Sequence, residues 1–212
     1  MDDKNSQDSN NFTKILIVIA FVVVTVALYF IMTASTKKPS AKELRSSHQD
    51  VALGGDFVVM DQNGKEFTNK DLLGKPSMIY FGFTYCPDIC PASLNKLTEV
   101  MNILDKYQID ITPVFVTVDP KRDTAQIIKL YLSNFHSKFI GLTGTEEQVK
   151  TMVSLFKVYA EVMAGSDKGR NDYMINHSSF VYLLDKNGKY LQHFDISVKS
   201  DEIVEFIRIN LK

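Results

Sequence analysis

The chain has only two cysteines, no excess of either charge, no internal repeat and a single long apolar run in its 212 residues. Two thiols exclude a multi-bridge secreted scaffold and any site built from four thiolates. Lys and Arg number 24 against 25 Asp and Glu, for a net charge of −1. That leaves no basic field for a nucleic-acid backbone, so nucleic acid is set aside as a partner. What remains is ordinary globular composition, 45% apolar and 23% charged, long enough to bury a sizeable core without disulfide staples.

The apolar run, ILIVIAFVVVTVALYFIM, covers Ile15 to Met32 with Thr25 as its one polar residue. It is too long for the core of a signal peptide and just long enough for a membrane-spanning helix. We read residues 15–33 as an N-terminal transmembrane anchor behind a short tail, 1–14. A signal peptide cut near Thr33, Ala34 and Ser35 is the competing reading. Lys4 and Lys14 precede the run, whereas Lys37, Lys38, Lys42 and Arg45 lie beyond it. A bare positive-inside count therefore places the large C-terminal portion in the cytoplasm. Asp2, Asp3 and Asp8, with no Arg, are unlike a mitochondrial transit peptide and favour a bacterial membrane.

Residues 34–50 are polar, Pro-containing and aperiodic, which reads as a tether. From 51 to 212, apolar runs alternate with amphipathic stretches, and one domain is expected. Asn63-Gly64 and Asn187-Gly188 each mark a hairpin between short strands. Pro76 to Phe83 and Ile111 to Asp119 read as buried central strands, and FIGLTG as a shorter one. Leu94, Leu97, Met101 and Leu104 recur at helical spacing. Thr124 to Phe135 reads as a second helix. Thr145 and Gln148 form a capping box ahead of an apolar face containing Val149, Met152, Val153 and Phe156. Ser200 to Leu211 closes the chain as an amphipathic helix. The order predicts an α/β fold: a thioredoxin-like sheet flanked by helices, extended by an N-terminal hairpin and preceded by the anchor.

The segment Phe83-Thr84-Tyr85-Cys86-Pro87-Asp88-Ile89-Cys90-Pro91 stands where the first long strand meets the first long helix. A helix entrance favours thiolate over thiol, so Cys86 and Cys90 are expected at an exposed, reactive corner. Pro91 fits the first helical position, with Cys90 as cap; Pro87 opening a distorted turn is the alternative. The C-x-x-x-C spacing permits a disulfide or a soft metal, and two thiolates call for a third ligand. Sulfur with imidazole suits Cu(I), Cu(II) or Zn(II) and excludes calcium and magnesium.

Of the four histidines, His48 lies in the tether, His136 comes after a helix at the surface, and His193 falls within a strand. His177 comes just before a buried strand, where the entering loop of a thioredoxin-like sheet faces the cysteine corner. That makes it the best third ligand. Met174 is a packing residue or a thioether donor to copper. Asp119 sits at a strand end and is read as part of a turn where Asp123 or Thr124 caps the next helix, with contact to metal or a partner as the competing reading.

GGDF, DQNG, YFGFTYCPDICP, VFVTVDPKRDT, FIGLTGT and NHSSFVYLLDKNG, in this order, resemble the Sco/SenC family of membrane-tethered, thioredoxin-like copper proteins needed to assemble cytochrome c oxidase. The resemblance spans about Gly54 to Gly188. It implies that Cys86, Cys90 and His177 bind one copper ion, Cu(I) or Cu(II). It also implies that copper comes from an upstream donor and goes to the dinuclear copper site of oxidase subunit II. The soluble domain is then periplasmic, on a single-pass bacterial inner-membrane anchor, against the Lys/Arg count. Such a protein is a metallochaperone and not an enzyme. Three alternatives stay open. Cys86 and Cys90 would be catalytic in a thiol–disulfide oxidoreductase that reduces the subunit II site. A copper or redox sensor is a second alternative, and a thiol peroxidase using Thr84 and Arg122 a third.

Overall fold

The computed structural model describes residues 18–29, 53–163 and 173–211. Its strands are β1 (Val58–Asp61), β2 (Glu66–Thr68), β3 (Ser77–Gly82), β4 (Thr112–Thr117), β5 (Ile140–Thr143), β6 (Ala160–Val162), β7 (Ile175–His177), β8 (Phe180–Leu184) and β9 (Tyr190–Asp195). In residues 53–211 its helices are α1 (Ile89–Lys106), α2 (Ala125–Leu132), α3 (Glu146–Leu155) and α4 (Ser200–Asn210). Seven strands form one sheet in the order β2-β1-β5-β4-β3-β8-β9, while β6 and β7 pair separately. The inner strands β3, β4 and β5 are parallel, and β8, β9 and the β1–β2 hairpin join them antiparallel.

Both faces of β3 are covered, which is why its sequence reads as an unbroken apolar run. Met78 and Tyr80 point into one core with Leu94, Leu97 and Met101 of α1, Ile128 of α2, and Ile203 and Ile207 of α4. Ile79 and Phe81 point into the other, with Met152 of α3 and Phe156 just past its end. Each such fully buried side chain contributes about 1.5–3 kcal/mol by leaving water. The expected turns hold: Gly64 and Gly188 have φ of 79° and 75°, left-handed values that their Asn-Gly turns require. The expected capping box forms too, with Thr145 accepting from Gln148 N and Gln148 Oε1 accepting from Thr145 N.

Two features differ from the sequence reading. Helix α1 begins at Ile89 with Asp88 as cap, so Pro91 occupies its third position and neither proline opens it. The first turn has no intrahelical partners for its N–H groups, so a proline there forfeits nothing. The short β6–β7 ladder has no counterpart in the sequence reading, because three-residue strands carry too little periodicity to register.

Residues 18–29 form a helix with exposed Val and Phe side chains. Among the described residues no helix is long and apolar enough to cross a membrane. The ends of the expected anchor over 15–33, the tail 1–14 and the tether 34–50 lie outside the described residues.

Candidate metal centre

Cys90 is the second residue of α1 and begins the stripe continued by Leu94, Leu97, Met101 and Leu104. That stripe faces the core, so Cys90 is 0% exposed, whereas Cys86, in the turn before the helix, is half-buried. The expectation of two exposed thiols therefore fails for Cys90. Starting the helix at Ile89 carries this position around to the inner face.

Cys86, Cys90 and His177 bring one ligand atom each to within 4.8 Å of one another. Cys90 Sγ lies 3.3 Å from His177 Nε2, and Cys90 N–H donates to Cys86 Sγ at 3.4 Å. His177 is not in a loop but ends β7, where it pairs with Ala160 of β6. Its Nδ1 lies 3.1 Å from the Ser178 carbonyl oxygen, which can only accept a hydrogen bond. Nδ1 therefore carries a proton, and Nε2 is the ring nitrogen turned toward the sulfurs, the orientation a metal-binding imidazole needs. The Phe83 and Tyr80 rings pack steeply against the imidazole, at 84° and 78°, with centroids at 5.7 and 6.3 Å.

The two thiols are electrostatically unequal. The hydrogen bond from Cys90 lowers Cys86 to about 5, outweighing burial, with help from the Cys90 and Asp88 amides. Cys90 moves up, because it donates that bond and lies in the core. The two shifts run in opposite directions, so Cys86 is the sulfur favoured as thiolate, whereas the expectation was that the helix entrance favours both. Bonds of roughly 2.0–2.3 Å to N and S place ligand pairs at most about 4.6 Å apart. Gathering the three atoms around one soft ion therefore takes only small movements. The partial exposure of Cys86 and His177 leaves one side of the site open.

Gly82 and Tyr80 support Cys90 without having stood out in the sequence. A Cβ at Gly82 would meet Cys90 Sγ and Tyr80 Cε1, each at 2.9 Å, so the strand needs glycine where the sulfur packs. The signal was the glycine interrupting an apolar run. Tyr80 donates its hydroxyl to Cys90 Sγ at 3.7 Å. Asp119 is buried, ion-paired to Arg122 and bonded by the Tyr173 hydroxyl at 2.6 Å, and it is outside the metal cluster. The Arg122 guanidinium lies 3.8 Å from the centre of the Tyr173 ring and 4.6 Å from that of Tyr85. Thr124 caps α2 as expected, but Asp123 is buried and bonded to Thr84 and Thr117. With Thr84 and Arg122 held by these carboxylates, the pair a peroxidase would use is committed elsewhere.

The other histidines are placed apart. His136, expected at the surface, is tucked in, with its side chain only 10% exposed against Asp105. Lys138 N–H donates to Nδ1, leaving Nε2–H for that carboxylate. His193 lies in β9 as expected, beside Tyr190 and Phe180. Met174 packs against the core that contains Cys90, and His48 lies outside the described residues.

A sequence model described as SCO1/SenC matches residues 45–212. A SCO2-like protein of Rickettsia felis is 50% identical over 202 residues, covering 95% of this chain and 98% of its own. The mitochondrial protein SCO1 of Saccharomyces cerevisiae is 40% identical over 187 residues, 85% of this chain and 63% of that protein. Among solved structures, yeast Sco1 with copper bound superposes with a TM-score of 0.67 at 44% identity, covering 74% of this chain and 90% of its own. ScoI of Bradyrhizobium japonicum with copper bound gives 0.68 at 36% identity, covering 76% and 100%. These likenesses agree with the thioredoxin-like sheet and its flanking helices.

Proposed function

This chain belongs to the SCO1/SenC family, and we propose that Cys86, Cys90 and His177 bind one copper ion as cargo and hand it to the dinuclear copper site of cytochrome c oxidase subunit II. The observation that carries this reading is the Cys90 Sγ to His177 Nε2 distance of 3.3 Å, with Nδ1 of the same ring fixed on the Ser178 carbonyl. Two sulfurs and a neutral imidazole suit copper by softness. The relatives solved with copper bound support that choice.

Three ligands leave a coordination position at the open side. An incoming thiolate of the partner bonds there first, and the chain's sulfurs leave in turn, so no bare ion is released. Oxidation of Cys86 and Cys90 to a disulfide removes two ligands, and protonation of His177 removes the third. The chain then acts as a metallochaperone and not as an enzyme. In this reading it lies in a bacterial inner membrane, anchored by a single span over 15–33. Its domain is periplasmic and is loaded by an upstream copper donor.

A thiol–disulfide reductase of subunit II is the second reading, favoured by the lowered Cys86 pKa beside a second thiol. Here the Cys86 thiolate attacks the target disulfide, and Cys90 displaces the reduced target as Cys86–Cys90 closes. Two electrons pass to the target. Mixing the copper-loaded chain with the copper-free, reduced copper domain of subunit II separates the readings. Copper moving to that domain, with the visible absorption of its dinuclear site appearing, supports delivery. Copper staying on the chain, while the copper-free dithiol chain reduces an oxidised subunit II, contradicts it.

A further inference from the structure

Asp123 is fully buried but contributes nothing to the metal cluster. Its Oδ2 accepts from the Thr84 amide at 2.9 Å and from the Thr117 hydroxyl at 2.7 Å, and its Oδ1 accepts from the Thr84 hydroxyl at 2.5 Å. All three donors are uncharged. Enclosing a carboxylate among neutral donors carries a desolvation cost that an apolar contact between the same elements would avoid. Burial accordingly pushes its pKa up while the Thr84 and Thr117 bonds pull it down.

What the carboxylate joins gives that cost a use. Thr117 ends β4, and Thr143, which ends β5, donates its hydroxyl to the Asp123 carbonyl at 2.7 Å. On that side Asp123 is fixed to two strands of the central sheet. On the other it holds Thr84, inside the turn closed by the Cys86 amide on the Phe83 carbonyl at 3.3 Å. Cys90 is held separately by α1, and His177 by the β6–β7 ladder. Cys86 belongs to neither element: its Sγ accepts from the Cys90 amide at 3.4 Å, and its backbone rests on the turn alone.

We propose that Asp123 is a positioning residue for the copper centre: by gripping Thr84 through both its amide and its hydroxyl, it fixes the turn that aims Cys86 Sγ at Cys90 and His177. The inference rests on the copper reading of the site. An amide at position 123 has one acceptor oxygen where the carboxylate uses two, and it turns an NH2 group toward a hydroxyl that now donates. Val at position 84 keeps the shape of Thr and the amide bond but loses the hydroxyl. Ser at position 84 restores it.

The test compares Thr84→Val, Thr84→Ser and Asp123→Asn with wild type in the full chain. Two quantities are read: Cu(I) affinity by competition with a chelator, and the copper-free dithiol–disulfide equilibrium of Cys86 and Cys90 against glutathione. Thr84→Val and Asp123→Asn are expected to weaken copper by about ten-fold, as loss of a residue supporting a metal ligand does. They should also shift the thiol equilibrium, and Thr84→Ser should stay with wild type in both. Lowered melting temperature with both quantities unchanged overturns the proposal. If Asp123→Asn does not fold, the Thr84 pair decides. If wild type takes up no copper, the copper reading fails, and the thiol equilibrium alone decides whether Asp123 positions Cys86: shifted in Thr84→Val but not in Thr84→Ser supports it, unshifted in both overturns it.

Discussion

Cys90 Sγ and His177 Nε2 stand 3.3 Å apart although 87 positions separate the two residues in the chain. The sulfur arrives through α1, which starts one residue earlier, and the imidazole through β7, which pairs with β6 outside the main sheet. Two independent elements therefore converge on one point, with Cys86 on the turn between β3 and α1.

The unequal thiols predict how stability responds to pH. The folded pKa of Cys86 is lowered to about 5 from the usual 9.0, chiefly by the hydrogen bond from Cys90. A group lowered on folding adds stability that is complete above its unfolded pKa and fades as pH falls through its folded one. The copper-free reduced chain should therefore gain stability between about pH 5 and pH 9, relative to Cys86→Ser. Urea unfolding across that range measures it, and parallel curves for the two proteins would contradict the assignment of the thiolate to Cys86.

Two glycines separate packing from metal chemistry. A Cβ at Gly82 would meet Cys90 Sγ at 2.9 Å, while one at Gly141 would meet Ile128 Cγ2 at 2.2 Å with no sulfur near. Overpacking of this kind costs about 1–3 kcal/mol, so Gly82→Ala and Gly141→Ala should both unfold at lower urea. Only Gly82→Ala should also weaken copper binding, because only there does the crowding displace a ligand. Equal copper affinity in the two variants would count against Cys90 as one.

Arg122 supplies a third expectation. It pairs with the buried Asp119 beneath the Tyr173 and Tyr85 rings. Removing one partner of a buried ion pair leaves the other uncompensated, so Arg122→Ala should cost about 3–5 kcal/mol in urea unfolding. A loss below about 1 kcal/mol, the order of an exposed pair, would show that water reaches Asp119.

Much of this fold was legible because its signals are local. The two Asn-Gly hairpins, the Thr145–Gln148 box and the apolar β3 run each depend on residues within a few positions. The cysteine pair and His177 were legible from motif spacing and from the strand after the histidine. The depth of Cys90 was not, since it hangs on which residue opens α1, and two prolines beside it blur that boundary. Neither was the hold of Asp123 on Thr84, a contact across 39 positions between polar residues that read locally as a turn and a cap. The β6–β7 ladder escaped because strands of three residues have no period to detect.

Copper stoichiometry on the reduced full chain and on His177→Ala, with free thiols counted in both, is the most direct test of the metal centre. One copper per wild-type chain, lost or greatly weakened in the variant while both thiols remain, is the predicted result. Little copper in either protein, with Cys86 and Cys90 cycling freely between dithiol and disulfide, would contradict it and leave a thiol reductase.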